Sequence, residues 1–206
     1  MNLLYPLLFL IVSIVISLAA NFLVLNFAKT LGIRNNNNVT VRWANESKPS
    51  LGGISMYAVF LFTSVVIILL FNSMIDAHLT AFIGLFIAAT AGFGMGIADD
   101  AYDTRPYLKL AVQILCGFIF VYTDNLVEVT SNETLNSALT VLWVVGLMNS
   151  LNMLDNMDGI TTTTTIWVLV SCLLMHTIWN GWTTDVWTYL ILSTIGTLLG
   201  FLYFNI

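Results

Sequence analysis

The sequence predicts an all-α fold, a polytopic membrane bundle of about seven transmembrane helices with the amino terminus outside and the carboxyl terminus cytoplasmic. Three observations predict it. Apolar residues fill 58% of the 206 positions and charged residues only 8%, with a mean hydropathy of +0.90, far from the balance of a soluble domain. Apolar runs near the ~20 residues that cross a bilayer recur along the whole chain, without β-barrel alternation. All six Lys and Arg residues fall in two segments that alternating spans bring to one side.

In order, the expected spans are Leu3 to Phe27, Ile54 to Phe71, His78 to Ala98, Tyr107 to Tyr122, Leu135 to Leu151, Thr162 to Trp179 and Val186 to Phe204. The first is expected to stay in place rather than be cleaved: no basic residue precedes it, it is long for a signal core, and no small-residue cleavage site follows. Lys29, Arg34, Arg42 and Lys48 lie in the connection that follows it, and Arg105 and Lys109 in the connection after the third span. The other side carries Asp76, Asp124, Glu128, Glu133 and Asp185 with no Lys or Arg, so the positive-inside rule sets the orientation. The net charge of −5 adds little, because topology answers to Lys and Arg.

Smaller features fit this frame. Trp179, Trp182 and Trp187 fall at the outer ends of the last two spans, where indole rings favour the headgroup zone. Asn35 to Asn38 reads as a turn, and Gly52 with Gly53 as a tight start to the second helix. Cys116 and Cys172 sit inside spans and read as buried small side chains rather than a disulfide or a catalytic thiol. His78 and His176 both fall toward the outer side and form no zinc pattern.

Chemistry concentrates on the basic side. The stretch "GMGIADDAYDTRPYLKL" ends the third helix with Asp99, Asp100 and Asp103, which share a face if helical geometry persists. Neighbouring carboxylates resist joint ionisation unless a cation or a basic group compensates. Hard divalent ions such as Mg2+ take oxygen ligands and bridge to phosphates. The alternative is an acidic loop forming surface ion pairs with Arg105 and Lys109. A second stretch, "NSLNMLDNMDG", places Asn149, Asn152, Asp155 and Asn156 in one helical stripe that continues toward Asp158, with Gly159 able to end the turn. Carboxamides both donate and accept, so the stripe suits a metal's oxygen shell and the donors on a nucleotide base. The Thr161 to Thr165 run leads into the next helix.

The ordered set "KPSLGG" (Lys48 to Gly53), "DDAYD" (Asp99 to Asp103) and "NSLNMLDNMDG" (Asn149 to Gly159), with "GTLLGFLYFN" from Gly196 to Asn205, resembles the polyprenyl-phosphate N-acetylaminosugar 1-phosphate transferases, the WecA- and MraY-like members of glycosyltransferase family 4. The resemblance implies transfer of an N-acetylaminosugar 1-phosphate from a UDP-sugar to polyprenyl (undecaprenyl) phosphate with release of UMP. It implies Mg2+, or Mn2+ in its place, and a site on the cytoplasmic face of the bacterial inner membrane, in cell-wall, lipopolysaccharide or other surface-glycan synthesis. The implied partners are the UDP-N-acetylaminosugar, the polyprenyl phosphate and membrane lipids, with a homodimer as one assembly and no nucleic acid.

Residue by residue, the resemblance implies catalytic roles for Asp99, Asp100, Asp155 and Asp158. It implies substrate contacts from Asp103, Asn149, Asn152 and Asp158, and metal contacts from Asp99, Asp100 and Asn152. Arg42 and Lys48 receive no role beyond topology. The family pattern continues past Asn205 into an Asp-containing GD segment and a His/Arg-rich loop, and "WANESKPSLGG" lacks a histidine often seen there. The expectation is therefore one integral-membrane domain over 1–206, the amino-terminal portion of a longer fold, truncated on its carboxyl-terminal side. Two other classes compete: a UbiA-type membrane prenyltransferase, which the Asn/Asp stripe fits less well, and a noncatalytic membrane binding protein.

Overall fold

The computed structural model describes residues 4–30 (side chains through 26), 52–70, 78–102, 104–155, 159–181 and 185–205. Within them the chain is all-helical: α1 Leu4–Thr30, α2 Gly52–Leu70, α3 Leu79–Tyr102, α4 Pro106–Tyr122, α5 Glu133–Leu154, α6 Ile160–Asn180 and α7 Val186–Asn205. The seven expected runs are all helices, but only six pass on length and apolar composition as candidate membrane spans. The exception is α4, whose 17 residues reach about 26 Å at 1.5 Å per residue. Its start is fixed by Pro106, which presets φ for a first turn and lacks an N–H that this turn would leave unpaired. Asn35 to Asn38, Arg42, Lys48 and Trp182 lie outside the described residues.

By its internal contacts the chain divides into two compact units, one of Met1–Leu70 with Thr162–Ile206 and the other of Phe71–Thr161. In the first unit α1 packs along α7 with no bulk between the backbones. A Cβ on Gly196 would lie 2.6 Å from the Leu10 carbonyl, and one on Gly200 would lie 2.6 Å from Ser17 Cβ. Ser13 and Ser17 on α1 thus meet Gly196 and Gly200 on α7, a small-residue seam of the kind that lets membrane helices approach closely. Ser17 Oγ donates to the Thr197 carbonyl at 2.7 Å, and Ser55 Oγ on α2 donates to Asn21 Oδ1 on α1 at 2.5 Å. Polar side chains here act as interhelical links.

The second unit packs α3, α4 and α5 around Ala88, Cys116 and Val144, with Ala91, Val112, Ile119, Phe120 and Met148 against them. Gly117 admits α5, since a Cβ there would lie 2.9 Å from Val141 Cα. At one end of this unit Asn132 caps α5 by accepting from the Leu135 amide at 3.1 Å. Asn125 donates to the Ala81 carbonyl at 2.9 Å, and Asn136 donates to the Thr130 carbonyl at 2.8 Å. That end is closed by its own hydrogen bonds; the opposite end carries the acidic motifs.

One cysteine departs from expectation. Cys116 is buried, whereas Cys172 is exposed on α6. Only 6% of the apolar window of α6 is covered by protein, and a helix this apolar needs no protein cover where hydrocarbon tails solvate its side chains. The Gly52 start of α2 is as expected. A left-handed backbone at Gly159, with φ of 72°, separates α5 from α6, and the Thr run follows inside α6 as expected.

Candidate active site at the acidic end of α3 to α5

α3 continues through Tyr102 rather than stopping at Ala98, so Asp99 and Asp100 stand on its last turn. The two adjacent carboxylates have different surroundings. Asp99 Oδ1 accepts from the Thr104 amide at 3.2 Å and from the Thr104 hydroxyl at 2.7 Å, while Asp99 Oδ2 pairs with Lys109 Nζ at 2.7 Å. These contacts join the end of α3 to the first turn of α4. Asp100 is exposed and, among the described residues, has neither a hydrogen bond nor an ion pair, although the charges of Asp99, Asp155 and Lys109 all act on it. The ion-pair alternative read from the sequence therefore holds for Asp99 with Lys109.

α5 brings the second motif to the same end. Asn149 and Asn152 are exposed on its last turns, and the helix stops at Leu154, leaving Asp155 as the carboxyl-terminal cap with its amide on the Leu151 carbonyl at 3.1 Å. The expected stripe thus exists as a helical face for Asn149 and Asn152 and ends on Asp155. The carboxamides of Asn149 and Asn152 and the carboxylate of Asp155 have no hydrogen-bond partner among the described residues. Asp103, Asn156 and Asp158 lie outside the described residues.

Among the described residues, no group of three His, Cys, Asp or Glu side chains is placed to hold a metal by itself. The donor chemistry nevertheless fits a hard divalent cation: Asp100 and Asp155 offer carboxylate oxygens within electrostatic reach of each other, and Asn152 adds a carboxamide oxygen one turn before Asp155. A cation would also relieve the repulsion between these carboxylates. Sequence reading missed Thr104. It bonds Asp99 across the end of a helix, five residues on, a separation that no helical periodicity marks.

Described residues that are all-helical, with six candidate spans among them and an oxygen-rich face at one helix end that has no partner among them, define a class: polytopic membrane proteins with a polar site beside hydrocarbon. The sequence matches Glycosyl transferase family 4 over residues 82–206, a stretch that includes both acidic motifs and α7, and the chain belongs to that family. It is 28% identical over 175 residues to the phospho-N-acetylmuramoyl-pentapeptide-transferase of Lactococcus lactis subsp. cremoris, covering 76% of this chain and 51% of that protein. The protein of the same name from Streptococcus agalactiae is 26% identical over 180 residues, covering 79% and 53%. A probable undecaprenyl-phosphate N-acetylglucosaminyl 1-phosphate transferase of Bacillus subtilis is 27% identical over 172 residues, covering 76% and 44%. The chain spans about half the length of the curated relatives it matches. No solved structure matches it. The family match sets aside the UbiA-type reading.

Proposed function

We propose that this chain carries out, or forms part of an enzyme that carries out, transfer of an N-acetylaminosugar 1-phosphate from a UDP-sugar to polyprenyl phosphate. An oxygen of the lipid phosphate attacks the sugar-bearing phosphorus, the bond from that phosphorus to the bridging oxygen of UMP breaks, and UMP leaves with that oxygen. The observation that supports this reading most is the oxygen face of Asp100, Asn152 and Asp155, without partners among the described residues, at the end of apolar helices, in a chain of this family. Such a face lets a water-soluble diphosphate meet a lipid whose tail stays in hydrocarbon.

In this proposal Asp99, Asp100 and Asn152 belong to the metal and lipid-phosphate side, and Asn149, Asp155 and Asp158 to the nucleotide side, with Asp103 as a further substrate contact. Mg2+ held there would offset charge on the transferring phosphoryl group. The chain's own contribution is alignment, since phosphoryl transfer asks for positioning and charge neutralisation more than for covalent chemistry. A site on the cytoplasmic face of a bacterial inner membrane belongs to the same proposal, supported by the positive-inside rule applied to the Lys- and Arg-bearing segments of the sequence.

The test is product analysis on the complete polypeptide in detergent or vesicles with polyprenyl phosphate, Mg2+ and UDP-N-acetylaminosugars. Release of UMP matched by a lipid-linked diphosphate sugar is the expected result. Tight binding of the UDP-sugar without any lipid-linked product would instead make this a binding protein.

A further inference from the structure

α4 is shorter than the membrane its neighbours can cross, and it is pinned at both ends. We infer that the bilayer is thinned beside α4, so that the headgroups of the two leaflets approach each other along its exposed face and the acidic end of α3 to α5 lies at the level of lipid phosphates. The thinning follows from the geometry of the second unit; its use, carrying a lipid phosphate to that acidic end, rests on the proposed transferase reading. The exposed stripe of α4 is Leu108, Ala111, Leu115, Phe118 and Tyr122, at three- and four-residue spacing. Tyr107 and Tyr122, 83% and 82% exposed, close the stripe at its two ends, and phenol rings favour the headgroup zone. They stand about 22 Å apart at 1.5 Å per residue, against about 30 Å of hydrocarbon. α3 and α5, with 24 and 22 residues, each reach about 33 Å or more.

A short helix can relieve such a mismatch by sliding toward one leaflet or by stretching long charged side chains to the interface. Both routes are closed here. At the acidic end the Lys109 ammonium, in the first turn of α4, is held by Asp99 Oδ2 at 2.7 Å. At the other end the Asn125 amide donates to the Phe120 carbonyl at 2.9 Å, and the Asn125 carboxamide donates to the Ala81 carbonyl near the start of α3, also at 2.9 Å. Asp124, exposed and in a left-handed conformation with φ of 58°, sits in the same turn. α4 therefore keeps its register against α3, and tilting would only shorten its reach. Submerging either end would carry the Lys109 and Asp99 charges or the Asp124 carboxylate into hydrocarbon, whereas drawing a bilayer in by a few Å costs less.

The test places a nitroxide at Tyr107→Cys or Tyr122→Cys in the complete polypeptide, with Cys172→Ser removing the exposed native thiol and Cys116 kept because it is buried. In dioleoylphosphatidylcholine vesicles both labels are expected to be mobile and at headgroup level, judged by collisions with oxygen and with a water-soluble nickel chelate. A label read several Å inside hydrocarbon would mean that α4 is submerged in an undeformed bilayer. Labels immobilised and shielded from both reagents would mean that protein covers this face. Either result overturns the inference. The unmutated protein gives a second measurement: amide exchange at the Tyr122 end of α4 should rise about tenfold from dimyristoleoyl to dierucoyl lipid, with the ends of α5 little changed. Equal responses of α4 and α5 would also overturn it. UMP release should fall about threefold or more over the same lipids; release independent of chain length would refute the proposed use of the thinning. Interfacial labels in a protein that releases no UMP in any lipid would count against the transferase reading alone.

Discussion

The first unit and the acidic end of the second treat polar side chains in opposite ways. Along α1, α2 and α7 they point into helix contacts and are answered by protein: Ser17 by the Thr197 carbonyl, Asn21 by Ser55 and by the Ser17 carbonyl. At the acidic end of α3 to α5, Asp100, Asn149, Asn152 and Asp155 have no such answer among the described residues. An amide or hydroxyl moved out of water without a hydrogen bond costs several kcal/mol, and an ionised carboxylate more. The inward pattern is therefore what packing between apolar helices requires, and the outward pattern persists only where water or a ligand supplies the missing bonds. The exceptions in the first unit are Ser13 and Ser64, buried hydroxyls without a partner among the described residues; Ser13 lies against Gly196 in the tight seam, where close approach of the backbones is the compensating gain.

The largest expected effect tests the outward pattern. Replacing Asn152 and Asp155 together by Ala removes side-chain groups that bond nothing among the described residues, so turnover should fall by about 10²-fold or more while the thermal midpoint without ligand stays within experimental scatter. Equal losses of turnover and midpoint would mean that these side chains hold the fold, and the contrast between the units would fail.

A smaller effect, on stability alone, tests the inward pattern. Gly200→Val places methyl groups where a bare Cβ already lies 2.6 Å from Ser17 Cβ and 2.9 Å from the Ile14 carbonyl, so overpacking should cost about 1–3 kcal/mol. A Cβ on Gly146 of α5 would have nothing within 4 Å, and Gly146→Ala should be neutral or stabilising by up to about 1 kcal/mol from helix propensity. Thermal midpoints of the two variants in one detergent decide it; similar shifts would show that the seam tolerates bulk.

Much of this was legible from residues alone, for reasons the same contrast explains. A run of hydrocarbon side chains near bilayer length has few alternatives to a helix, which is why the runs beginning near Leu3 and Val186 match α1 and α7 closely. Spacing of three residues placed Asn149, Asn152 and Asp155 in register, and α5 carries the first two on its last turns before Asp155 caps it. What periodicity does not encode is the partner of a side chain at a helix end. Asp99 and Asp100 are alike as letters, and only the turn through Thr104 to Lys109 separates their surroundings. The exposure of Cys172 was hidden for a related reason: apolar character predicts burial in water, but in a membrane it does not say whether protein or lipid provides the cover.

The smallest expected effect lies between α6 and α7, where an acid is answered by protein at a helix start. Asp185 Oδ1 accepts the Thr188 amide at 2.8 Å as the cap of α7, and its other oxygen meets His176 Nε2 at 2.8 Å. Burial pushes the Asp185 carboxyl up, but the Thr188 amide and hydroxyl and the His176 ring outweigh it, so its pKa lies below the ordinary carboxylate value. A depressed folded pKa gives stability that is complete above the unfolded pKa, about 4, and is lost as pH falls through the lower folded value. The side chain is 32% exposed, so solvent screening limits the effect to about 1 kcal/mol or less. Below about pH 4 the midpoint should therefore fall further in the unmutated protein than in Asp185→Asn, whose carboxamide still caps the helix but does not titrate. Superimposable acid profiles for the two would show that the charge of Asp185, and with it the His176 contact, contributes nothing to holding α6 against α7, and would leave the cap bond to the Thr188 amide as the whole role of Asp185.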